Sequence, residues 1–170
     1  MRPAPFVSLA VAAFMTFAAT AVAAAPLPKP QGEPILTISG NIANTNDGEV
    51  ARFDREMLEA IGTTKLTTMT PWYERLVEFE GVPMKALMDA VGASGTEVTA
   101  TALNDYVSTI PFADFDQYEV ILALKRDGKY MPIRDKGPLF IVYPYDSDPE
   151  LATDKYYSRS AWQVKELEIQ

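Results

Sequence analysis

Gly81-Val82-Pro83-Met84-Lys85-Ala86-Leu87-Met88-Asp89-Ala90-Val91-Gly92 is the stretch on which the fold class turns. Met84, Leu87, Met88 and Val91 recur at i, i+3, i+4 and i+7, one face of a helix. Pro83 suits the first helical position, where its missing N–H costs nothing, and Gly92 suits the end. The Met-rich stripe reads as core, because unbranched thioethers fill irregular gaps. Strand signals lie on both sides. Upstream, Ile35–Ile42 and Glu49–Phe53 flank Asn44-Thr45-Asn46-Asp47-Gly48, which is turn chemistry and lacks the Gly position of a calcium loop. Asp54 caps a short helix carrying Met57, Leu58 and Ile61 and ending at Gly62. Lys65–Thr70, rich in Thr, reads extended. Downstream, Val98–Leu103 and Val107–Ile110 are separated by Asn104-Asp105-Tyr106, and Pro111–Gln117 fits a short helical turn. Val120–Lys125 and Lys129–Arg134 flank Asp127-Gly128, a hairpin signal. Leu139–Val142 is a continuous apolar run that predicts a central strand, and Val164–Ile169 predicts a last one. Mostly strands with two or three short helices means α+β with a mixed or antiparallel sheet, not a doubly wound fold.

Composition narrows the chemistry. The 170 residues include no Cys and no His, and 23 acidic against 15 basic residues give a net charge of −8. Disulfides, zinc sites with N or S ligands, and His-dependent nucleophile systems are excluded. A net acidic chain is also a poor partner for nucleic acid, whose backbone selects basic surfaces. At the N-terminus, Arg2, an apolar run from Phe6 to Val22 and Ala21-Val22-Ala23 predict a signal peptide over 1–23. Cleavage after Ala23 would remove the apolar run and leave no membrane anchor. A Pro-rich spacer follows over 24–32 and one domain over 33–170. The expected location is periplasmic or secreted, where a chain without Cys forms no stray disulfides.

Three clusters interrupt the hydrophobic pattern. They are Met69-Thr70-Pro71-Trp72-Tyr73, Asn104-Asp105-Tyr106, and Asp154 to Trp162. Aromatic faces beside Asn, Ser and Arg suit a flat polar ligand. The same residues could equally be packed loop aromatics with satisfied polar tips. Asp146-Ser147-Asp148-Pro149-Glu150 reads as a solvated acidic loop, since it has no Gly to bend it around an ion.

Phe79-Glu80-Gly81-Val82-Pro83-Met84, Ala102-Leu103-Asn104-Asp105-Tyr106, Ile110-Pro111, Gly137-Pro138-Leu139 through Tyr143-Pro144, and Trp162 to Ile169 follow one another in that order. The ordered set resembles the molybdopterin-binding domain of the sulfite oxidase family, most of all a small exported branch often labelled molybdopterin-dependent oxidoreductase. The likeness spans roughly Ile35 to Ile169. It implies a mixed α+β fold with a pterin held by loops at strand ends. In active members a Cys thiolate binds molybdenum, which passes an oxygen atom to or from a substrate. The place of that Cys, counted back from Gly81, falls at Thr68 or Met69, and neither supplies a thiolate. The family's phosphate-binding basic residues before the last strand fall near Trp162-Gln163, with Arg159 close by. The Arg often found after Gly-x-Pro is Phe140 here.

The resulting expectation is an exported molybdopterin-binding-like domain without sulfite-oxidase-type catalysis. It would act as a ligand-binding, sensory or partner module. The expected contacts to molybdopterin or another pterin-like small molecule are Trp72, Asn104, Asp105, Tyr106, Lys136, Tyr157, Arg159, Ser160 and Trp162. No residue is assigned a catalytic or metal-binding role. The alternative is an oxidoreductase whose molybdenum is held by pterin dithiolene sulfurs alone, with Arg159, Lys136 and Asn104 at phosphate or pterin. A third reading is a module for a periplasmic protein partner, with Trp72 and Trp162 as anchors. A deep cleft bordered by Trp72, Tyr106 and Tyr157 would favour a ligand, and a flat patch a partner.

Overall fold

The computed structural model describes residues 26–170; the signal peptide expected over 1–23 lies outside them. Among the described residues no helix is long and apolar enough to cross a membrane. The chain forms two five-stranded sheets. The first holds β1 (Leu36–Gly40), β2 (Ala51–Phe53), β5 (Glu97–Ala102), β6 (Val107–Pro111) and β10 (Val164–Ile169), in the order β2-β1-β10-β5-β6. The second holds β3 (Thr64–Thr70), β4 (Tyr73–Pro83), β7 (Ile121–Arg126) and β8 (Lys129–Tyr130) in that order, with β9 (Phe140–Val142) also on β7. Helices α1 (Arg55–Ile61), α2 (Met84–Val91), α3 (Ala113–Gln117) and α4 (Asp154–Arg159) connect or cover them. β1 runs parallel to β10, and the other strand pairs are antiparallel. The architecture is therefore α+β with one mixed sheet, as the pattern of elements implied.

Alternation places the core. Leu36 and Ile38 of β1, Val98, Ala100 and Ala102 of β5, and Leu167 and Ile169 of β10 are buried. Met84, Leu87, Met88 and Val91 of α2 are buried too, the four positions of the helical stripe. Gly92 then adopts φ +60°, the left-handed conformation a helix-ending glycine supplies at little cost.

Four elements differ from the sequence reading. The longest strand, β4, was legible only as the lead-in to a helix. Its inner half alternates Val77, Phe79 and Gly81 inward, but the flanking Glu74, Arg75, Glu78 and Glu80 mask that signal. Gly81 is there for closeness: a Cβ would sit 2.1 Å from the Leu122 carbonyl oxygen of β7. Pro83 ends β4 rather than starting α2, and the Met84 N–H bonds across to the Val120 carbonyl at 2.9 Å. The run Lys129–Arg134 stops as a strand at Tyr130, since Pro132 has no N–H to offer, and Ile133–Asp135 turns as a 3₁₀ helix. The apolar run at Leu139–Val142 does not make a central strand. β9 pairs with β7 only, and its other side is covered by a bridge between Phe140 and Trp162 and by the Ile141 N–H bonding the Ala161 carbonyl. Burial by that covering segment explains the hydrophobicity. Finally, the polar-aromatic stretch from Asp154 folds as α4.

Asp54 joins the spacer to the domain. One carboxylate oxygen caps α1 through the Met57 N–H at 2.9 Å, and the other accepts the Gln31 and Gly32 N–H groups at 2.7 and 2.8 Å. These backbone donors, Gly32 foremost, hold its pKa below the ordinary carboxylate value. Asp54→Ala should lower unfolding free energy by about 2 kcal/mol, the upper end for losing a cap. The sign with pH follows from the depressed native value. The contribution is full above about pH 4 and is lost as acid protonates the native carboxylate. Urea unfolding of both proteins at pH 7 and pH 3 checks this: the gap between them should shrink in acid.

Candidate functional site

Three turns that the two sheets deliver to one end of the molecule carry the site. Trp72 sits in the tight β3–β4 connection, where its backbone N–H bonds the Thr70 hydroxyl at 3.3 Å. Asn104 and Tyr106 sit in the β5–β6 turn, where Asp105 takes φ +61° and the Asn104 side-chain oxygen accepts the Tyr106 N–H at 3.2 Å. Tyr157, Ser160 and Trp162 come from α4 and the segment leading into β10. These six residues line one cleft of about 250 Å³.

Trp72 is the hub of its aromatic wall. Its ring meets Phe140 at 5.4 Å, Trp162 at 5.5 Å, Tyr157 at 6.0 Å and Tyr145 at 6.2 Å, each edge to face. Such contacts fix ring orientation, because the positive edge of one ring prefers the negative face of the next. Below them, the buried Tyr145 hydroxyl lies 2.5 Å from Ser160 Oγ, which in turn donates to the Tyr156 carbonyl at 2.8 Å. Burial pushes the Tyr145 phenol above its usual pKa, so it stays protonated. Tyr106 is tied down by its hydroxyl, which donates to the Ser158 carbonyl at 2.8 Å.

Lys136 lies beside this wall. Its ammonium is 3.9 Å from the ring centre of Trp162 and 5.3 Å from that of Trp72, with Phe140 and Tyr73 at 6.0 Å. Its backbone takes φ +65° in the turn, and its carbonyl accepts the Gln163 N–H, so the chain presents it to the tryptophans. Burial lowers its pKa, with the neighbouring Asp135 charge opposing. Asp135 does not pair with it, because Arg126 grips that carboxylate with two nitrogens at 2.9 and 2.6 Å.

Two of the expected contacts lie elsewhere. Asp105 pairs with Lys165 at 2.9 Å, with its carboxylate mostly in solvent. Arg159 turns away from the cleft to the buried Asp114 at 2.7 Å, an acceptor shared with the Tyr143 hydroxyl, also at 2.7 Å. Tyr145 and Phe140 support the wall and were not expected; the aromatic alternation of Tyr143-Pro144-Tyr145 after an apolar run was the available signal. The surface has roomier grooves, of about 310 to 390 Å³, but none is lined by Trp.

The place expected for a metal-binding Cys is a closed corner. Thr68 is fully buried, its hydroxyl donating to the Met69 carbonyl at 3.1 Å and accepting the Asp146 N–H at 3.3 Å. The Met69 N–H bonds the Asp146 carboxylate at 2.7 Å, and its thioether side chain is 40% exposed. Among the described residues no three His, Cys, Asp or Glu side chains converge as a metal site. The site expected here uses a soft anionic thiolate, and the donors present are a bonded hydroxyl and a neutral thioether. The cleft is also smaller than the ~300–1,000 Å³ usual for drug-sized ligands. The guanidinium nearest in sequence to a phosphate position is spent on Asp114. These residues do not fit a complete molybdenum cofactor.

No curated protein matches the chain at a meaningful level. The family model described as the oxidoreductase molybdopterin binding domain matches residues 54–146, from the cap of α1 to the acid that closes the Thr68 corner. That match covers more than half of the chain and takes in Trp72, the β5–β6 turn and Lys136, so the protein belongs to the oxidoreductase molybdopterin-binding domain family.

Proposed function

We propose that this protein is an exported binding domain that keeps the family scaffold, has given up oxygen-atom transfer, and holds a flat small molecule in the aromatic cleft. The observation that carries the reading is the pairing of two features at one end of the fold. Two Trp and two Tyr line a cleft with few polar atoms to satisfy, while the corner expected to bind metal is filled by a hydrogen-bonded Thr68. A pterin-like ring, or another one- or two-ring heterocycle, suits walls of this kind, since aromatic faces reward stacking without demanding a particular base of hydrogen bonds. A sensory role in the periplasm follows naturally, because occupancy would brace the turn at Trp72, the β5–β6 turn and the end of α4 against one another.

The alternative, an oxidoreductase that holds molybdenum by dithiolene sulfurs alone, is favoured by family membership. One experiment separates the two. The protein is exported from its own host, purified, and examined by native mass spectrometry with metal analysis. It is then titrated with pterin, lumazine and quinoline while tryptophan fluorescence is followed. The proposal expects molybdenum far below one per chain and quenching by at least one ring. Stoichiometric molybdenum, or no response to any ring, overturns it.

A further inference from the structure

Charge is unevenly matched over the surface. Acids outnumber bases 23 to 15, so counter-charges for a cation are plentiful. Among the described residues only Lys29, Arg55, Lys129, Arg134 and Lys136 are in no ion pair. Two of them, Lys129 and Arg134, line one groove of about 370 Å³ along the β7–β8 hairpin and the 3₁₀ turn that follows it. Two carboxylates line it as well, and both are already matched: Asp127 takes the Arg75 guanidinium and Asp135 that of Arg126. The groove therefore keeps two positive charges with nothing to answer them. Tyr130 lines it too and is 45% exposed. Its hydroxyl donates to Glu59 at 2.8 Å, and the Arg55 guanidinium lies 4.3 Å from its ring centre. That glutamate is itself paired with Lys125 at 3.0 Å. Ile133, in the same turn as Arg134, is 58% exposed. The backbone under these side chains is fixed. Met131 is buried and its N–H bonds the Leu124 carbonyl at 3.1 Å, while the Ile133 carbonyl accepts the Gln163 side-chain amide at 2.6 Å.

We propose that this hairpin face docks an acidic segment of a partner protein, whose carboxylates answer Lys129 and Arg134 and whose apolar side chains meet Tyr130 and Ile133. The inference is independent of the aromatic cleft, which shares no lining residue with this groove. Charge complementarity carries it. An exposed ion pair is worth little by itself, so the charges set partner choice and approach, and the exposed Tyr and Ile supply the contact area. The fixed loop lowers the cost of ordering that docking entails. The acidic remainder of the molecule does not cancel the patch, because charges in solvent are screened beyond about 8 Å at physiological ionic strength. A small inorganic anion would make no use of Tyr130 or Ile133. An anionic bilayer would meet a broad, net acidic body rather than the patch alone, and a concave groove suits a protruding chain better than a flat sheet of headgroups.

The test uses the mature chain and a fluorescein-labelled oligoglutamate peptide with one central leucine, followed by fluorescence anisotropy. The peptide should bind, and its affinity should fall steadily as salt is raised. A peptide with Gln in place of every Glu should bind at least about tenfold more weakly. Reversing both free charges, Lys129→Glu with Arg134→Glu, should cost at least about tenfold as well. Lys85→Glu with Lys155→Glu changes the net charge equally at exposed pairs elsewhere and should stay within about twofold of wild type. Tyr130→Ala should weaken the glutamate peptide several-fold and leave its salt dependence unchanged. No binding of the glutamate peptide overturns the inference, as does equal binding of the two peptides. An equal loss in the two double variants overturns it too, since net charge and not this face would then decide. Sedimentation of the chain with vesicles of anionic lipid, without peptide binding, would assign the face to a membrane. Salt-sensitive self-association of the chain alone, abolished by the hairpin double variant, would assign it to a second copy. Either result overturns the proposal. The wild-type comparison of the two peptides decides it even if a variant fails to fold.

Discussion

Asp114→Ala should lower stability by about 3 kcal/mol, because it breaks a buried charge pair. Asp114 sits in α3 with its side chain 8% exposed, and one oxygen receives both the Arg159 guanidinium and the Tyr143 hydroxyl. Tyr143 is fully buried, and burial together with this bond pushes its pKa far up, so its hydroxyl donates at every pH of interest. Removing the acid orphans a buried hydroxyl and leaves a guanidinium at 17% exposure without its counter-charge. The cost lies at the low end of the range for breaking buried pairs because Arg159 retains some water and still lies over the Tyr156 ring. For a domain of this size the loss corresponds to a drop in Tm of about 10 °C. Asp114→Asn, which keeps an acceptor for Tyr143, should recover a part of it. A Tm within about 2 °C of wild type for Asp114→Ala would show that Arg159 and Tyr143 find other partners. The effect on ligand binding should be indirect, through the position of α4, which carries Tyr157.

The triad also explains why Arg159 misled a reading of the sequence. Arg159 lies in a stretch of Asp, Lys, Tyr, Ser and Trp, and such mixed composition looks like a binding loop. Periodicity over six residues is too short to reveal a helix, and Asp114, 45 positions away, cannot be linked to Arg159 by any local pattern. The other residues of the cleft were legible for a different reason. Trp72, Tyr106, Tyr157 and Trp162 are large aromatics beside Thr, Asn and Ser at points where the strand pattern breaks, and broken pattern marks turns. The sheets then bring the turns together, through pairings such as β1 with β10 across 129 positions, which no window of sequence contains. Helix α2 was legible down to its four buried residues because each was set by local spacing. Strand β4 was not, since its charged outward face outnumbers its inward one and a proline at its end imitates a helix start.

Trp72→Ala should both destabilise the domain and empty the cleft of function. The side chain is only partly buried, so the cost is about 2–3 kcal/mol, below the ~3–5 kcal/mol of a fully buried aromatic truncation. Its loss removes the ring against which Phe140, Tyr145, Tyr157 and Trp162 all set their edges or faces. Those rings then lose the packing that fixes their angles, and Lys136 loses one of its two closest aromatic partners. Ligand affinity should fall at least about a hundredfold, the scale of a hot-spot aromatic worth near 3 kcal/mol. Stability alone does not produce that loss, and Trp72→Phe distinguishes the two. A phenyl ring refills most of the volume and should restore most of the Tm, yet it offers a smaller face for a ring to stack on, so ligand affinity should stay several-fold down. Val77→Ala is the control. It empties a buried site on β4, the strand that Trp72 leads into, away from the cleft walls, and should lower Tm with affinity intact at temperatures where the domain is folded. If Trp72→Ala and Val77→Ala instead lowered Tm alike and left affinity alike, the aromatic cluster would be packing and the ligand would have to be sought on another face.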